Sequence, residues 1–476
     1  MLFMLMLGFA SGLPLALSGG TLQAWLTVSD IDVGTIGYFT LVGLPYTFKF
    51  VWAPLMDRFE PPRPGRRRSW LVLTQLAIGA VCIAYSLLDP ALHTRWLAML
   101  AVAMAFLSAS QDVVFDAYRS DLLAPEERGA GAALSVLGYR LAMLVSGALA
   151  LYLAGRWLGW SATFAGMGVL MFAMAIISLL APGLGPRPGP AAGAGRELAG
   201  FVAMLVAGVA VWASSRGLRL GLELWPMAAQ ALEGRFGTLA FDTMSILTAF
   251  VGALWAARAV GFPSLVNPWD AFFSRPHAWA LLALIVLYKL GDAFAGTLTT
   301  AFLLRGAGFS LEEVGTYHHV LGLVTTIIGA LAGGAWLART NLYRALMIFG
   351  LLQAVSNFGY WLIAVLPKSL PLMAGAVFLE NLCGGMGTAA FVAFLMALTD
   401  ARFSAAQYAL LSALSAVGRI YVGPAAGVLV KAYDWPTFFA LTVLTALPGL
   451  VLLYGLRGPV RGLDARGGGG DSASVP

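Results

Sequence analysis

FLSASQDVVFDAYRSDLLAPEERGAGAALSVLGYR, Phe106 to Arg140, places two apolar stretches on either side of a short charged loop. Asp112 and Asp116 stand one helical turn apart near the end of the first stretch, and Tyr139 and Arg140 lie inside the second. Followed outward, each stretch reaches the roughly 20 residues that a helix needs to cross a bilayer. Carboxylates and an arginine inside such helices cost roughly 2.5 to 3.5 kcal/mol each on insertion scales, so they mark a pathway or a packed ion pair.

The rest of the 476 residues extends the same pattern. The chain is 59% hydrophobic and 11% charged, with a mean hydropathy of +0.82, against roughly 25% charged residues in soluble domains. The fold class is an all-α polytopic membrane protein, since unpaired backbone is not tolerated in lipid and the runs are too long for barrel strands. Expected spans cover 2–26, 34–56, 70–88, 96–118, 130–154 and 161–181, then 198–215 and 240–257, then 278–303, 312–336, 345–366, 370–398, 407–429 and 436–456. These fourteen fall into two six-helix bundles, 1–181 and 278–456, with two extra helices and an interfacial segment in 198–277 between them. The Pro- and Gly-rich stretch 182–197 is expected to be a linker, and 457–476 a disordered cytoplasmic tail. Met1 to Leu26 lacks a charged leader and serves as the first span, not a cleaved signal.

Of the 29 Lys and Arg, four lie inside spans: Lys49, Arg140, Lys289 and Arg419. The others favour, by about two to one, the side that holds both termini, which predicts cytoplasmic N- and C-termini. The net charge of +6 is therefore a topology signal, and nucleic acid is not expected as a partner. Cys82 and Cys383 both sit in apolar runs and suggest neither a disulfide framework nor a thiolate metal site. No metal and no cofactor are expected. Adjacent His318 and His319 would diverge by about 100° on an α-helix and do not form a metal pair. Neither a Walker A loop nor a nucleophilic triad occurs, so an enzyme is not indicated.

A weak repeat relates the two six-helix sets. Gly34-Thr35 and Gly315-Thr316 each open a second span, Trp160 and Trp435 each open a sixth, and Arg140 and Arg419 each lie in a fifth. Such two-fold designs hold their substrate near the midplane between the halves. Four intramembrane acids, Asp112, Asp116, Asp292 and Glu380, balance the four bases, with Lys49 and Arg140 assigned to the first two and Lys289 and Arg419 to the others. Permanent ion pairing is one role for them. The other is proton coupling, because burial raises a carboxyl pKa and a nearby cation lowers it; Asp112 and Asp116 come first and Asp292 second. Gln23, Trp25, Tyr46, Gln111, Tyr139, Gln353, Asn357 and Asn381 suit stacking on, and hydrogen bonding to, a sugar. Trp25 is also a candidate interfacial anchor, and the amides are candidate links between helices.

The loop APLMDRFEPPRPGRRRSW, Ala53 to Trp70, resembles the cytoplasmic signature of the major facilitator superfamily, an Asp-Arg followed by Gly-Arg-Arg, with a longer spacing than usual. The resemblance implies a cytoplasmic gate of Asp57, Arg58, Arg66, Arg67 and Arg68 facing Asp121, Glu126 and Glu127. GFASGLPLALSGGTLQAWL from Gly8, VLYKLGDAFAGTLTTAFLLRG from Val286, ENLCGGMGTAAFVAFLMAL from Glu380 and FSAAQYALLSALSAVGR from Phe403 resemble AmpG-type muropeptide permeases of that superfamily. What this implies is the major facilitator fold and a proton-driven importer of N-acetylglucosaminyl-1,6-anhydro-N-acetylmuramic acid, with or without its stem peptide. It further implies an inner membrane location, a monomer, and a link to peptidoglycan recycling and β-lactamase induction. The proton gradient is then the energy source. Lys49, Arg140, Lys289 and Arg419 become contacts for an anionic lactyl peptide, and Glu380 joins the substrate-binding set. Alternatives are a permease for another solute, such as a drug or an acyl-CoA-like anion, and a flippase for a lipid-linked glycan.

Overall fold

The computed structural model describes residues 1–49, 52, 56, 65–123, 128–184, 194–223, 225, 230, 235–261, 263–399 and 404–467. Among these there is no strand, and 13 helices are long and apolar enough to cross a membrane, from Leu2–Val28 to Trp435–Gly455. The chain is a multi-pass membrane protein. Of the remaining expected span, 34–56, the described part consists of Val33–Phe39, a 3-10 turn at Thr40–Gly43, and Leu44–Phe48. Gly43 and Pro45 punctuate it, because proline removes a backbone donor.

Helix starts follow local chemistry. Asp89 caps Pro90–Leu122 by accepting from the Ala91 amide at 2.8 Å, and Asp434 caps Trp435–Thr445 by accepting from Thr437 at 2.8 Å. Ser310 and Glu313 form a reciprocal capping box. Each satisfies amides that a helix start leaves unpaired.

The chain forms two compact units. One contains both six-helix sets apart from Thr399–Leu410, which belongs to the other. In the other, the inserted helices Ala194–Leu222 and Arg235–Val260 lie against each other, joined by Arg216–Asp242 at 2.9 Å and Arg219–Asp242 at 3.7 Å. The expected interfacial stretch contains the helix Pro263–Phe273, whose Asp270 pairs with Arg258.

Within the unit that holds the two six-helix sets, lipid gives no hydrophobic reward for helix association, so close approach depends on small residues. The first span packs on Arg128–Met143 through Gly8, Gly12 and Gly138: a methyl at Gly12 would come within 2.5 Å of the Tyr139 carbonyl oxygen, and one at Gly138 would overlap that of Leu5. In the second set, Gly333 holds the helices Leu311–Leu337 and Leu370–Ala397 together, with its methyl position 2.6 Å from Met386 Cα.

Two boundary expectations are corrected. Residues Arg457–Gly467 form a helix where disorder was expected from 457. Val460 is fully buried and the Arg461 guanidinium lies 4.9 Å over the Tyr343 ring, which supplies the packing that composition does not show. The helix of the inserted pair begins at Ala194, inside the expected linker.

Gly138→Ala should destabilise the protein by about 1–3 kcal/mol, the usual cost of overpacking, and lower the thermal midpoint in detergent. Gly375→Ala, where nothing lies within 4 Å of the added methyl, should leave it unchanged or slightly raised. Equal shifts in the two variants would contradict this packing.

Candidate functional site

The first helix of each six-helix set is interrupted. Leu2–Ser18 and Gly20–Val28 meet at Gly19, and Ala278–Tyr288, Leu290–Thr297 and Thr299–Ala301 are broken at Lys289 and Leu298. Discontinuous helices of this kind free backbone groups at the depth where transporters hold their cargo. Around these breaks lies a cavity of about 350 Å³, lined from the first set by Ser18, Gln23 and Tyr46 and from the second by Thr297, His318 and His319, among others. The Gln23 amide crosses it by donating to the Thr297 carbonyl at 2.9 Å.

Toward the end of the bundle that carries Met1, charged residues replace the neutral lining. Asp112 accepts a hydrogen bond from Ser11 and lies 3.7 Å from Lys49 Nζ. Gln111 beside it is fully buried, and neither of its amide atoms has a hydrogen-bond partner among the described residues. In the second set, Lys289 lies 3.2 Å from Asp292 and donates to Thr388 at 3.1 Å, while Gln353 donates to the other Asp292 oxygen at 3.1 Å. Asn357 donates to the Gly291 carbonyl at 3.4 Å. Glu380 accepts from Asn381 at 2.7 Å and Tyr360 at 3.4 Å, and Asn381 is bonded to Thr326 at 3.0 Å. Amides thus link helices here as well as lining the site.

The structure redraws several expectations. Asp116 is 57% exposed and pairs with Arg119, three residues on, at 3.1 Å; being one turn nearer the helix end, it leaves the cluster to Asp112. Arg140 has no carboxylate partner among the described residues, and it donates to Met143 Sδ at 3.7 Å. Trp25 faces away from the cavity. It is 4% exposed and packs on Phe164 at 4.8 Å, Trp160 at 6.0 Å and Tyr85 at 6.3 Å, so it is part of the aromatic core of the first set. Tyr139 is half-buried behind Gly12. Asp57, Arg58, Glu126, Glu127 and the side chains of Arg66 and Arg419 lie outside the described residues. Of the other residues expected at a gate, Arg67 pairs with Asp121 at 3.4 Å, and Arg68 donates to the Ala181 carbonyl at 2.8 Å, at the end of the sixth span.

Sequence reasoning missed two features. His318 and His319 both reach the cavity because Val314–Leu321 is a π-helix, whose wider turn reduces the angle between successive residues. The other is a seal between the two sets at the end of the bundle far from Met1. Asp32 pairs with Lys431, and Arg305 reaches the Ile31 carbonyl at 2.9 Å and Asp30 at 3.7 Å. Gly37 and Gly427 bring their helices together beneath it, the methyl position on Gly37 being 3.2 Å from Gly427 Cα. Burial pushes the Asp32 carboxyl up, but hydrogen bonds from Lys431 and Thr35, with the Lys431 charge, hold it below the ordinary 3.8.

Comparison with known proteins places these features in context. The family model for the Major Facilitator Superfamily matches residues 2–369. An anhydromuropeptide permease of Escherichia coli (strain K12) is 50% identical over 450 residues, which is 94% of this chain and 78% of that relative. A putative transporter, AmpG 4 of Rickettsia felis, is 30% identical over 453 residues and 94% of each chain. Among solved structures, a peptide transporter POT in complex with sulfate aligns with a TM-score of 0.66 at 15% identity, over 97% of this chain and 95% of that one. The inward-open xylose transporter of E. coli aligns with 0.59 at 12%, over 96% and 98%. At these identities the two structures speak for the fold alone.

The seal yields a prediction. A native folded pKa below the ordinary value means the Asp32 contribution is complete above that value and is lost as pH falls through the folded pKa. Asp32→Asn should speed maleimide labelling of a Ser18→Cys variant from the far end by up to about fivefold, the shift that a part-exposed pair worth about 0–1 kcal/mol can hold. The swap Asp32→Lys with Lys431→Asp should slow labelling again. Identical rates in all three would show that the pair does not hold the seal.

Proposed function

The chain belongs to the major facilitator superfamily, and on that premise we propose that it imports anhydro-muropeptides together with protons across the bacterial inner membrane, by alternating access. It is a transporter and not an enzyme. Its substrate in this reading is GlcNAc-1,6-anhydroMurNAc with or without a stem peptide, recovered for peptidoglycan recycling, and it works as a monomer with both termini in the cytoplasm. The end sealed by Asp32–Lys431 then faces outward.

The observation that carries the reading is the division of the site along its axis. A neutral polar cavity adjoins a charged cluster whose cation is Lys49, 3.7 Å from Asp112. A substrate with an uncharged sugar end and an anionic lactyl or peptide end matches both parts. The likeness to the E. coli permease supports the same assignment.

Proton coupling falls to Asp112. The hydroxyl of Ser11 and the ammonium of Lys49 are its partners, and they belong to two different spans of the first set. Any movement between those spans changes how well the carboxylate is stabilised, and a proton replaces the lost partners. Asp292, held by Lys289 and Gln353, is the counterpart in the second set. Arg67–Asp121 forms part of the cytoplasmic gate in this scheme.

Asp112→Asn tests coupling and substrate together. In proteoliposomes the variant should still exchange labelled anhydro-muropeptide without a gradient, while its gradient-driven accumulation falls to the level seen without one. Accumulation equal to that of the wild type would remove Asp112 from coupling. A folded variant that neither exchanges nor accumulates would make Asp112 a substrate contact instead.

A further inference from the structure

From the cavity lining we infer that His318 and His319 are the residues that recognise the neutral N-acetylated sugar end of the substrate, which they hold by hydrogen bonds from outside the charged cluster. The inference rests on the transport reading above and adds to it the residues that set specificity.

Three observations converge. First, among the described residues that line the cavity there is no Asp, Glu, Lys or Arg. Its polar groups are hydroxyls, the Gln23 amide and the two imidazoles, a set that suits hydroxyl and acetamido groups and offers a carboxylate no cationic lysine or arginine partner. At about 350 Å³ it lies at the lower end of the roughly 300–1,000 Å³ typical of ligand pockets. It therefore takes one part of a larger molecule.

Second, each imidazole has an unpaired nitrogen. His318 Nδ1 and His319 Nε2 are buried and have no hydrogen-bond partner among the described residues. A buried polar atom left unpaired costs about 1–3 kcal/mol, and a ligand that pairs it recovers that cost.

Third, the rings are held in place. They meet edge to face with centroids 5.1 Å apart. The His319 ring crosses from the second helix set and rests between two glycines of the first. A methyl at Gly20 would lie 3.1 Å from its Cε1, and one at Gly147 would lie 3.5 Å from its Nδ1. Gly147 lies in the π-helical segment Leu144–Leu149, which packs against the histidines' own π-helical segment. Irregular turns of this kind cluster at functional sites. A hydrogen bond made here from ligand to His319 also ties the two sets together while the outward seal is closed.

The test is gradient-free exchange of labelled anhydro-muropeptide in proteoliposomes, with KM and maximal rate fitted separately. His318→Phe and His319→Phe keep a ring and remove its nitrogens. Gly20→Ala keeps both histidines and pushes on the His319 ring, so it carries the test should a Phe variant fail to fold. Each variant should raise KM about 10-fold, equivalent to about 1.4 kcal/mol, with little change in maximal rate. Inhibition by the unlabelled anhydro-disaccharide should weaken in parallel. Wild-type KM in the folded variants overturns the assignment and leaves the transport reading intact. An unchanged KM with lost gradient-driven accumulation places the histidines in proton movement and likewise overturns it. A wild-type protein that exchanges no anhydro-muropeptide ends the transport reading, and this inference with it.

Discussion

A carboxylate inside a lipid-spanning helix must be matched by donors from neighbouring helices, and Asp112 is matched by Ser11 from the first span and Lys49 from the second. Three residues far apart in sequence meet at one atom group because leaving the charge alone in lipid would cost several kcal/mol. The second set meets the same constraint differently: Lys289 and Asp292 pair within one broken helix, and Gln353 and Thr388 complete the arrangement from two others. The breaks at Gly19 and Lys289 add free backbone groups at these depths, which a straight helix would not offer.

Glycine is the second constraint. Where water gives helices no reason to associate, Gly8, Gly12 and Gly138 let backbones touch within the first set, and Gly37 with Gly427 lets them touch across the two sets. The first contact is a fixed part of one bundle. The second lies beneath the Asp32–Lys431 and Arg305 contacts, in the seal that alternating access would have to open. Close approach through small residues suits such a seal, because few side chains have to repack when it separates.

Most of the fold was legible in the sequence, since span length and charge depletion are set by bilayer thickness. The intramembrane acids and bases also stood out, because apolar surroundings make each one conspicuous. Their partners were harder to find. Helical spacing suggested that Asp112 and Asp116 act together, yet exposure at the helix end gives Asp116 to Arg119. Trp25 carried no mark distinguishing a core residue from a stacking platform, and only its packing on Phe164 and Trp160 settles the matter. His318 and His319 were set aside by the geometry of an α-helix, which the π-helical turn does not follow. The helix at Arg457–Gly467 was hidden because its composition is polar and its support comes from Tyr343.

The central claim is that one cavity between two helix sets carries an anhydro-muropeptide inward at the expense of a proton gradient. Uptake of the labelled compound by proteoliposomes containing the wild-type chain tests it most directly. The account predicts accumulation above the outside concentration when protons are driven inward, and only equilibration when they are not. Equal uptake under both conditions, or none by a demonstrably folded protein, would contradict it.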